Sequence, residues 1–246
     1  MQTDLRYNVM RKGLIIITLI LSVLVLATVS CKKEKKPSSE PVSWSPKPGE
    51  GGTLPKEVLP ASIETTVAQY FTVHIGETPA VFSGQFVSQP HVLLHSTVAN
   101  DTVQVYNERY IAFIKNDKLI DFYGKQWDND RQDYYFEAYT NLYVIGTGDE
   151  FTCYYLTEGY PDGMYAKQST VFSGKWNESY GGLKDFQVAV ILLETSGNPN
   201  LAPVNSFRVL GDGDGLAQDT VWIRRNAFHD NLRVSAEDAF SMFRVR

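Results

Sequence analysis

From Glu64 onward, short runs of β-branched and aromatic residues alternate with polar residues, and clusters of turn-forming residues separate these runs. Side chains of a strand point alternately to its two faces, so the pattern is typical of strands with one face in a core. Many short strands at regular spacing predict an all-β domain over residues 61–246, built as an antiparallel β-sandwich or barrel. The predicted strands are 66–75, 81–87, 92–98, 110–114, 118–123, 134–145, 151–156, 164–172, 186–193, 207–210 and 220–224.

A short helix is predicted to close the chain. Residues 235–238 read Ser-Ala-Glu-Asp, which resembles a capping box. Ala239, Phe240 and Phe243 then fall on one helical face, so this face is expected to pack on the sheet.

Two stretches of the domain resemble each other. The sequence Val-Phe-Ser-Gly at 81–84 recurs at 171–174, and Tyr-Ile-Ala-Phe-Ile at 110–114 is similar to Gln-Val-Ala-Val-Ile at 187–191. The order of the similar segments is kept, which indicates two related β modules over about 64–146 and 147–246. Chance similarity between aromatic-rich strands is the alternative.

Residues 1–30 have the order of a bacterial export signal. Two positive charges at 11 and 12 precede an uncharged apolar run over 14–27, and small or β-branched residues lead to Cys31. The run is shorter than the roughly 20 residues of a membrane-spanning helix. A cysteine at this place resembles the lipobox of Gram-negative lipoproteins, which implies removal of residues 1–30 and a lipid on the Cys31 thiol. Those lipoproteins prefer Leu where this chain has Thr28, and a retained membrane anchor is the alternative.

Residues 31–60 are predicted to be a tether between the lipid and the domain. They hold six of the eleven prolines and no periodic pattern, and such segments behave as semi-extended spacers. Four lysines at 32, 33, 35 and 36 follow the cysteine.

Charge and cysteine content exclude several functions. The chain carries 28 acidic against 23 basic residues, and after Pro60 the counts are 23 and 14, so a nucleic-acid partner is not expected. With Cys31 assigned to lipid, Cys153 has no disulfide partner and is predicted to be a buried, inert thiol. No nucleophile or metalloprotease motif occurs, so no enzyme activity and no cofactor are predicted.

Two sets of residues have the chemistry of a metal site. Asp212 and Asp214 alternate with glycines over 211–215, and Asp219 follows, as in loops that bind calcium. The alternative is a hairpin loop between two strands. His91 and His95 lie in a predicted strand, where four residues span about 13 Å, too far for both to bind one ion.

Three aromatic residues lie among polar neighbours and are candidates for ligand binding. They are Trp127, Trp176 and Tyr180. An aromatic ring beside amides and acids can stack on the apolar face of a sugar while its neighbours bind hydroxyls. The alternative is that these rings only fill the end of a sandwich.

About two-thirds of the chain resembles the cell-envelope lipoproteins abundant in gut-type Gram-negative bacteria. The signal with Cys31, the Pro-rich tether and the stretch from 172 to 216 carry this resemblance. It implies a lipid-anchored, non-enzymatic binding or structural module, held in the outer membrane by acyl chains such as palmitate. Its expected partners are the membrane and a glycan or envelope protein. The alternative function is glycan binding within a nutrient-uptake system.

Overall fold

Fourteen strands form one curled sheet in the part of the chain that the structure, a computed structural model, describes. The described residues are 40–102, 104–129, 132–222 and 236–245. The strands are β1 (Val42–Trp44), β2 (Glu77–Pro79), β3 (Gly84–Ser88), β4 (His91–Ser96), β5 (Val105–Tyr106), β6 (Arg109–Asn116), β7 (Leu119–Asp128), β8 (Asp133–Leu142), β9 (Val144–Gly148), β10 (Glu150–Gly159), β11 (Ala166–Trp176), β12 (Gly182–Glu194), β13 (Phe207–Asp212) and β14 (Leu216–Asp219).

The sheet is antiparallel except where β2 joins β9, and its main path runs β2-β9-β10-β11-β12-β14-β3-β6-β7-β8. It curls until β8 lies beside β1 and β10. Side chains bridge this approach, because the ring of Tyr139 on β8 stacks on Tyr155 of β10 with centroids 3.8 Å apart. The predicted all-β class is confirmed, in the form of a single sheet curled toward a barrel.

Strands β10, β11 and β12 are buried on both faces. On β10, Phe151, Cys153 and Tyr155 contribute to one apolar cluster, whereas Tyr154 and Leu156 contribute to the other. The alternation of strand side chains therefore divides each central strand between two cores. We call them the inner cluster, enclosed by the curl, and the outer cluster, on the opposite face.

The N-terminal part of the domain covers the outer cluster. Strand β1 pairs with β10, and helix α1 (Ala61–Val67) follows. Val58 and Phe71 are buried there against the central strands. The tether predicted over 31–60 is therefore wrong from Val42 onward, because prolines restrict the chain without preventing its apolar residues from packing.

The strand predicted at 66–75 is also wrong. Helix α1 occupies its start, and Phe71 donates its N–H to the Val67 carbonyl in one further helical turn. Val67 and Phe71 are four residues apart, so a helical turn places both on the outer cluster. The apolar and polar residues that alternate over 66–75 therefore belong to a helical turn and to the irregular segment that follows it.

Other boundaries differ less. The segment predicted as 134–145 divides into β8 and β9 at Tyr143, and the last strand is Leu216–Asp219 instead of 220–224, of which only 220–222 are described. The C-terminal helix is confirmed as α2 (Ala236–Ala239), followed by a 3₁₀ turn at Ser241–Phe243. Phe240 and Phe243 are fully buried in the inner cluster. Ser235, the first residue of the predicted capping box, lies outside the described residues.

The two similar stretches do not form separate modules. Strands from both halves join one sheet, since β14 pairs with β3 and β13 with β4. The first Val-Phe-Ser-Gly lies before β3 except for its glycine, which is the first residue of that strand, whereas the second copy lies inside β11. The copies therefore occupy different structural positions.

Removal of the N-terminal layer should destabilise the domain. A chain of residues 61–246 loses β1 and exposes the outer cluster, and the lost burial of Val58 and Leu59 alone costs about 3–6 kcal/mol. Urea unfolding followed by circular dichroism should show a much lower midpoint for 61–246 than for 40–246. Equal midpoints would show that residues 40–60 do not contribute to the core.

Candidate functional site

A shallow pocket of about 360 Å³ lies at one end of β11, where that strand meets the turn between β9 and β10. It is lined by Ala80, Gly148, Asp149, Trp176, Asn177 and Glu178. Two of the three aromatic candidates belong to this region, Trp176 in the lining and Tyr180 beside it. We call it the Trp176 pocket.

Trp176 is held on one face by the inner cluster. Its ring stacks on Phe82 with centroids 5.1 Å apart and planes 7° from parallel. Its backbone N–H donates to the carbonyl oxygen of Asp149 (2.8 Å). The side chain is half-buried, so part of the ring is presented to the pocket on a rigid support.

Tyr180 lies beside the pocket and contacts Asp149, one of the lining residues. The 3₁₀ turn at Glu178–Tyr180 begins with Asn177, whose Oδ1 accepts the N–H of Ser179 (3.0 Å). This turn brings the Tyr180 hydroxyl to Asp149, to which it donates a hydrogen bond. That hydrogen bond lowers the pKa of the Asp149 carboxyl, which remains an acceptor at neutral pH.

Charges beside the pocket are paired. Glu150 accepts from Lys175 (3.1 Å) and lies 3.3 Å from His74 Nδ1. The hydrogen bond from Lys175 lowers the pKa of Glu150, with the nearby His74 acting in the same direction. The pocket thus combines one aromatic surface with carboxylate and amide groups, which suits a ligand rich in hydroxyl donors.

Trp127 belongs to a different surface. It lies on β7, opposite Tyr134 of β8, and the two rings make an edge-to-face contact with centroids 5.2 Å apart. Trp127 lies within a strand and not in a loop, because β7 extends to Asp128. The structure brings Trp176 and Tyr180 together and places Trp127 in a separate aromatic group.

The structure does not bring the three aspartates of the predicted calcium loop together as one group of ligands. In the described part of the chain, no group of three or more His, Cys, Asp or Glu side chains is arranged to hold a metal ion. Asp212 instead accepts the N–H groups of Leu216 (3.0 Å) and Gln89 (3.1 Å). Burial and hydrogen bonding with Asp214 raise the pKa of Asp212. Asp219 ends β14, where its N–H donates to Gly181.

The hairpin alternative is wrong as well. Both β13 and β14 pair antiparallel with β12, so the chain does not reverse between them. Residues 213–215 interrupt what is otherwise one long strand, and Gly213 donates its N–H to Pro90 in a matching interruption between β3 and β4. The Asp212 carboxylate satisfies backbone donors that this bulge takes out of the ladder.

The histidine pair was correctly assigned to a strand, since His91 and His95 lie on β4. His95 stacks on Tyr70 with centroids 3.6 Å apart, whereas His91 is fully buried and its Nδ1 lies 3.0 Å from the Ser88 hydroxyl. Burial, aided by the charge of Arg109, lowers the pKa of His91 to about 3.

Sequence reasoning missed a buried polar group inside the curl. Arg109 on β6 donates to Glu137 on β8, which also accepts from the Tyr135 hydroxyl (2.8 Å). Arg109 shares its strand face with the core residues Ile111 and Phe113, so an extension of the strand pattern by two residues could have found it. The pair is fully sequestered, which makes it a structural link between β6 and β8.

Cys153 is fully buried, as predicted, and burial raises the pKa of its thiol. Such a thiol is not a nucleophile at neutral pH. Cys31 lies outside the described residues.

A comparison with protein-family models, curated proteins and solved structures finds no match to this chain. The described residues contain no helix that is both long and apolar enough to span a bilayer.

Acid should destabilise the domain through His91. Between pH 6.5 and about 3 the unfolded state binds a proton at this residue and the folded state does not. The free energy of unfolding should therefore decrease as the pH is lowered, and the contribution of His91 to this decrease is about 2 kcal/mol between pH 7 and pH 5. Urea unfolding at pH 7 and at pH 5 should show that His91→Gln loses less stability than the native protein. The loss that remains in this variant comes from the carboxylates. An equal loss in both proteins would contradict the assignment.

Proposed function

We propose that this protein is a lipid-anchored lipoprotein of the cell envelope, held in the outer membrane, whose domain binds a ligand without catalysis. The order of charge, apolar run and Cys31 over residues 10–31 is the observation that carries the anchor. Folded structure from Val42 onward leaves ten residues, 32–41, as the tether. Such a chain spans at most about 35 Å, so the domain would stay close to the bilayer.

A binding role is supported by the chemistry of the pocket and the core. The Asp149 and Glu150 carboxylates are held by hydrogen bonds that lower their pKa, which favours ionised acceptors over proton donors. The buried thiol of Cys153 is inaccessible to a substrate. These features suit recognition at a fixed surface better than turnover.

Glycan capture is the second candidate, and the Trp176 pocket is the observation that favours it. A sugar ring stacked on Trp176 would place hydroxyls near the Asp149 and Glu178 carboxylates and the Asn177 amide. The carboxylates accept and do not donate, so a neutral sugar fits this lining better than an anionic one. The acidic balance of the domain acts in the same direction.

The anchor is tested by acylation. The native protein should incorporate an alkynyl fatty acid during growth, because the Cys31 thiol is its predicted attachment point. Cys31→Ser should abolish the label, while Cys153→Ser, which alters a buried thiol, should retain it in any folded fraction. A native protein that takes up no label would end the lipoprotein proposal.

The glycan site is tested on an array of neutral oligosaccharides. Loss of the stacking contact in Trp176→Leu should weaken binding about two- to tenfold, since such aromatic contacts contribute roughly 0.5–1.5 kcal/mol beyond burial. Glu178→Gln, at an exposed position, should weaken it without disturbing the fold.

Glu64→Gln is the matched control, because Glu64 is an exposed acid on α1 outside the pocket lining. Its binding should equal that of the native protein. If both pocket variants bind as the native protein does, or if no neutral glycan binds, the glycan proposal fails.

A further inference from the structure

The outward surface of β6, β7 and β8 departs from the usual pattern of an antiparallel sheet. One face of such a sheet normally packs on the core while the other is polar. Here the inward face supplies Ile111 and Phe122 to the inner cluster, yet the outward face is aromatic as well. Its side chains, together with Trp222, which follows β14 and packs beside Tyr110, form what we call the aromatic face. The members on the three strands are Tyr110, Tyr123, Lys125, Trp127, Tyr134 and Phe136.

Cross-strand pairing puts these side chains side by side. Lys125 lies opposite both Tyr110 and Phe136, and Trp127 lies opposite Tyr134. Phe136 is 36% exposed, although large aromatic side chains are usually covered. Trp127 and Tyr134 are half-buried and Tyr123 is only 7% exposed, so the face is most open to its surroundings at Phe136.

Lys125 gives the face a fixed positive charge. Its ammonium lies 4.6 Å from the ring centroids of both Tyr110 and Tyr134 and 5.4 Å from that of Trp222. Trp222 is fixed in turn, because its Nε1 donates to the carbonyl of Ile111 (3.1 Å). Aromatic rings with polar tips around a cation match the zone between lipid tails and headgroups, where Trp, Tyr and Lys are favoured.

The tether reaches the domain beside this face. Strand β1 lies next to β8, and Tyr143 at the end of β8 donates its N–H to the Ser45 hydroxyl (3.0 Å). Two residues earlier, Ser43 contacts Thr157, to which Tyr139 also hydrogen-bonds. β1 thus runs along β8 in the same direction, and the chain enters at Val42 from the side on which β8 begins.

We infer that the aromatic face rests on the lipid bilayer to which Cys31 would attach the chain, an inference that rests on the proposed lipid anchor. The ten residues between Cys31 and Val42 hold the entry point within about 35 Å of the membrane. β8, beside this entry point, carries Tyr134 and Phe136 on its outward side. Acids at Asp121, Asp128 and Asp133 flank the face, so a zwitterionic surface suits it better than a strongly anionic one.

Tryptophan quenching tests this orientation. Acylated full-length protein is reconstituted into phosphatidylcholine and phosphatidylethanolamine vesicles, with brominated phosphatidylcholine as the quencher. The native protein should be quenched because Trp127 and Trp222 lie at the interface. Trp127→Phe combined with Trp222→Phe should lose this quenching, whereas Trp176→Phe should keep it.

A second pair of variants tests docking without removal of the reporter. Phe136→Glu places a carboxylate on the face and should abolish quenching, while Val204→Glu, at a similarly exposed valine between β12 and β13, should leave it intact. Circular dichroism checks that each variant is folded.

The label on Cys31 is measured in the same preparations. Acylated native protein whose tryptophans are not quenched, or are quenched equally after Phe136→Glu, would overturn this orientation while leaving the anchor in place. A face covered by a second copy of the chain would give that result together with a dimer on sedimentation. Absence of the acyl label would defeat the anchor itself, and this inference with it.

Discussion

Burial of β10, β11 and β12 on both faces is the constraint on which the rest of the structure depends. A strand has two sets of side chains, and here both sets are apolar, so each must be covered by another layer. The curl of the sheet covers one set and encloses Phe172 and Phe186. The N-terminal segment covers the other and packs Val58 and Phe71 over Tyr154. Neither layer is optional, which is why the folded domain begins well before the first predicted strand.

The bulge at 213–215 interrupts the long strand made of β13 and β14, opposite the interruption between β3 and β4. On one side of the bulge β13 pairs with β4, and on the other β14 pairs with β3 and leads into β6, β7 and β8. The carboxylate of Asp212 serves the backbone donors left there. Acidic side chains that resemble a metal site in the sequence therefore stabilise this interruption of the sheet.

The Trp176 pocket and the aromatic face lie on different strands of this sheet, which suggests that they have different roles. The Trp176 pocket lies where β11 meets the β9–β10 turn, whereas the aromatic face belongs to β6, β7 and β8. A domain tethered beside one aromatic surface and presenting the other would have a membrane-side face and a ligand-side pocket. Both roles need rigid surfaces and no activated nucleophile, which agrees with the proposed binding function.

The sequence by itself determined the all-β class, most strand positions, the C-terminal helix and the inert state of Cys153. These depend on local alternation and on burial, which the order of residues records directly. It also singled out Trp176 and Tyr180, because aromatic residues among polar neighbours are unusual. Only the tertiary structure decided that Asp149 joins these two residues, that Trp127 belongs to another surface, and that Asp212 closes a bulge. Each of these facts depends on contacts between segments that are distant in the sequence, and the pattern within a single segment does not specify which distant segment it meets.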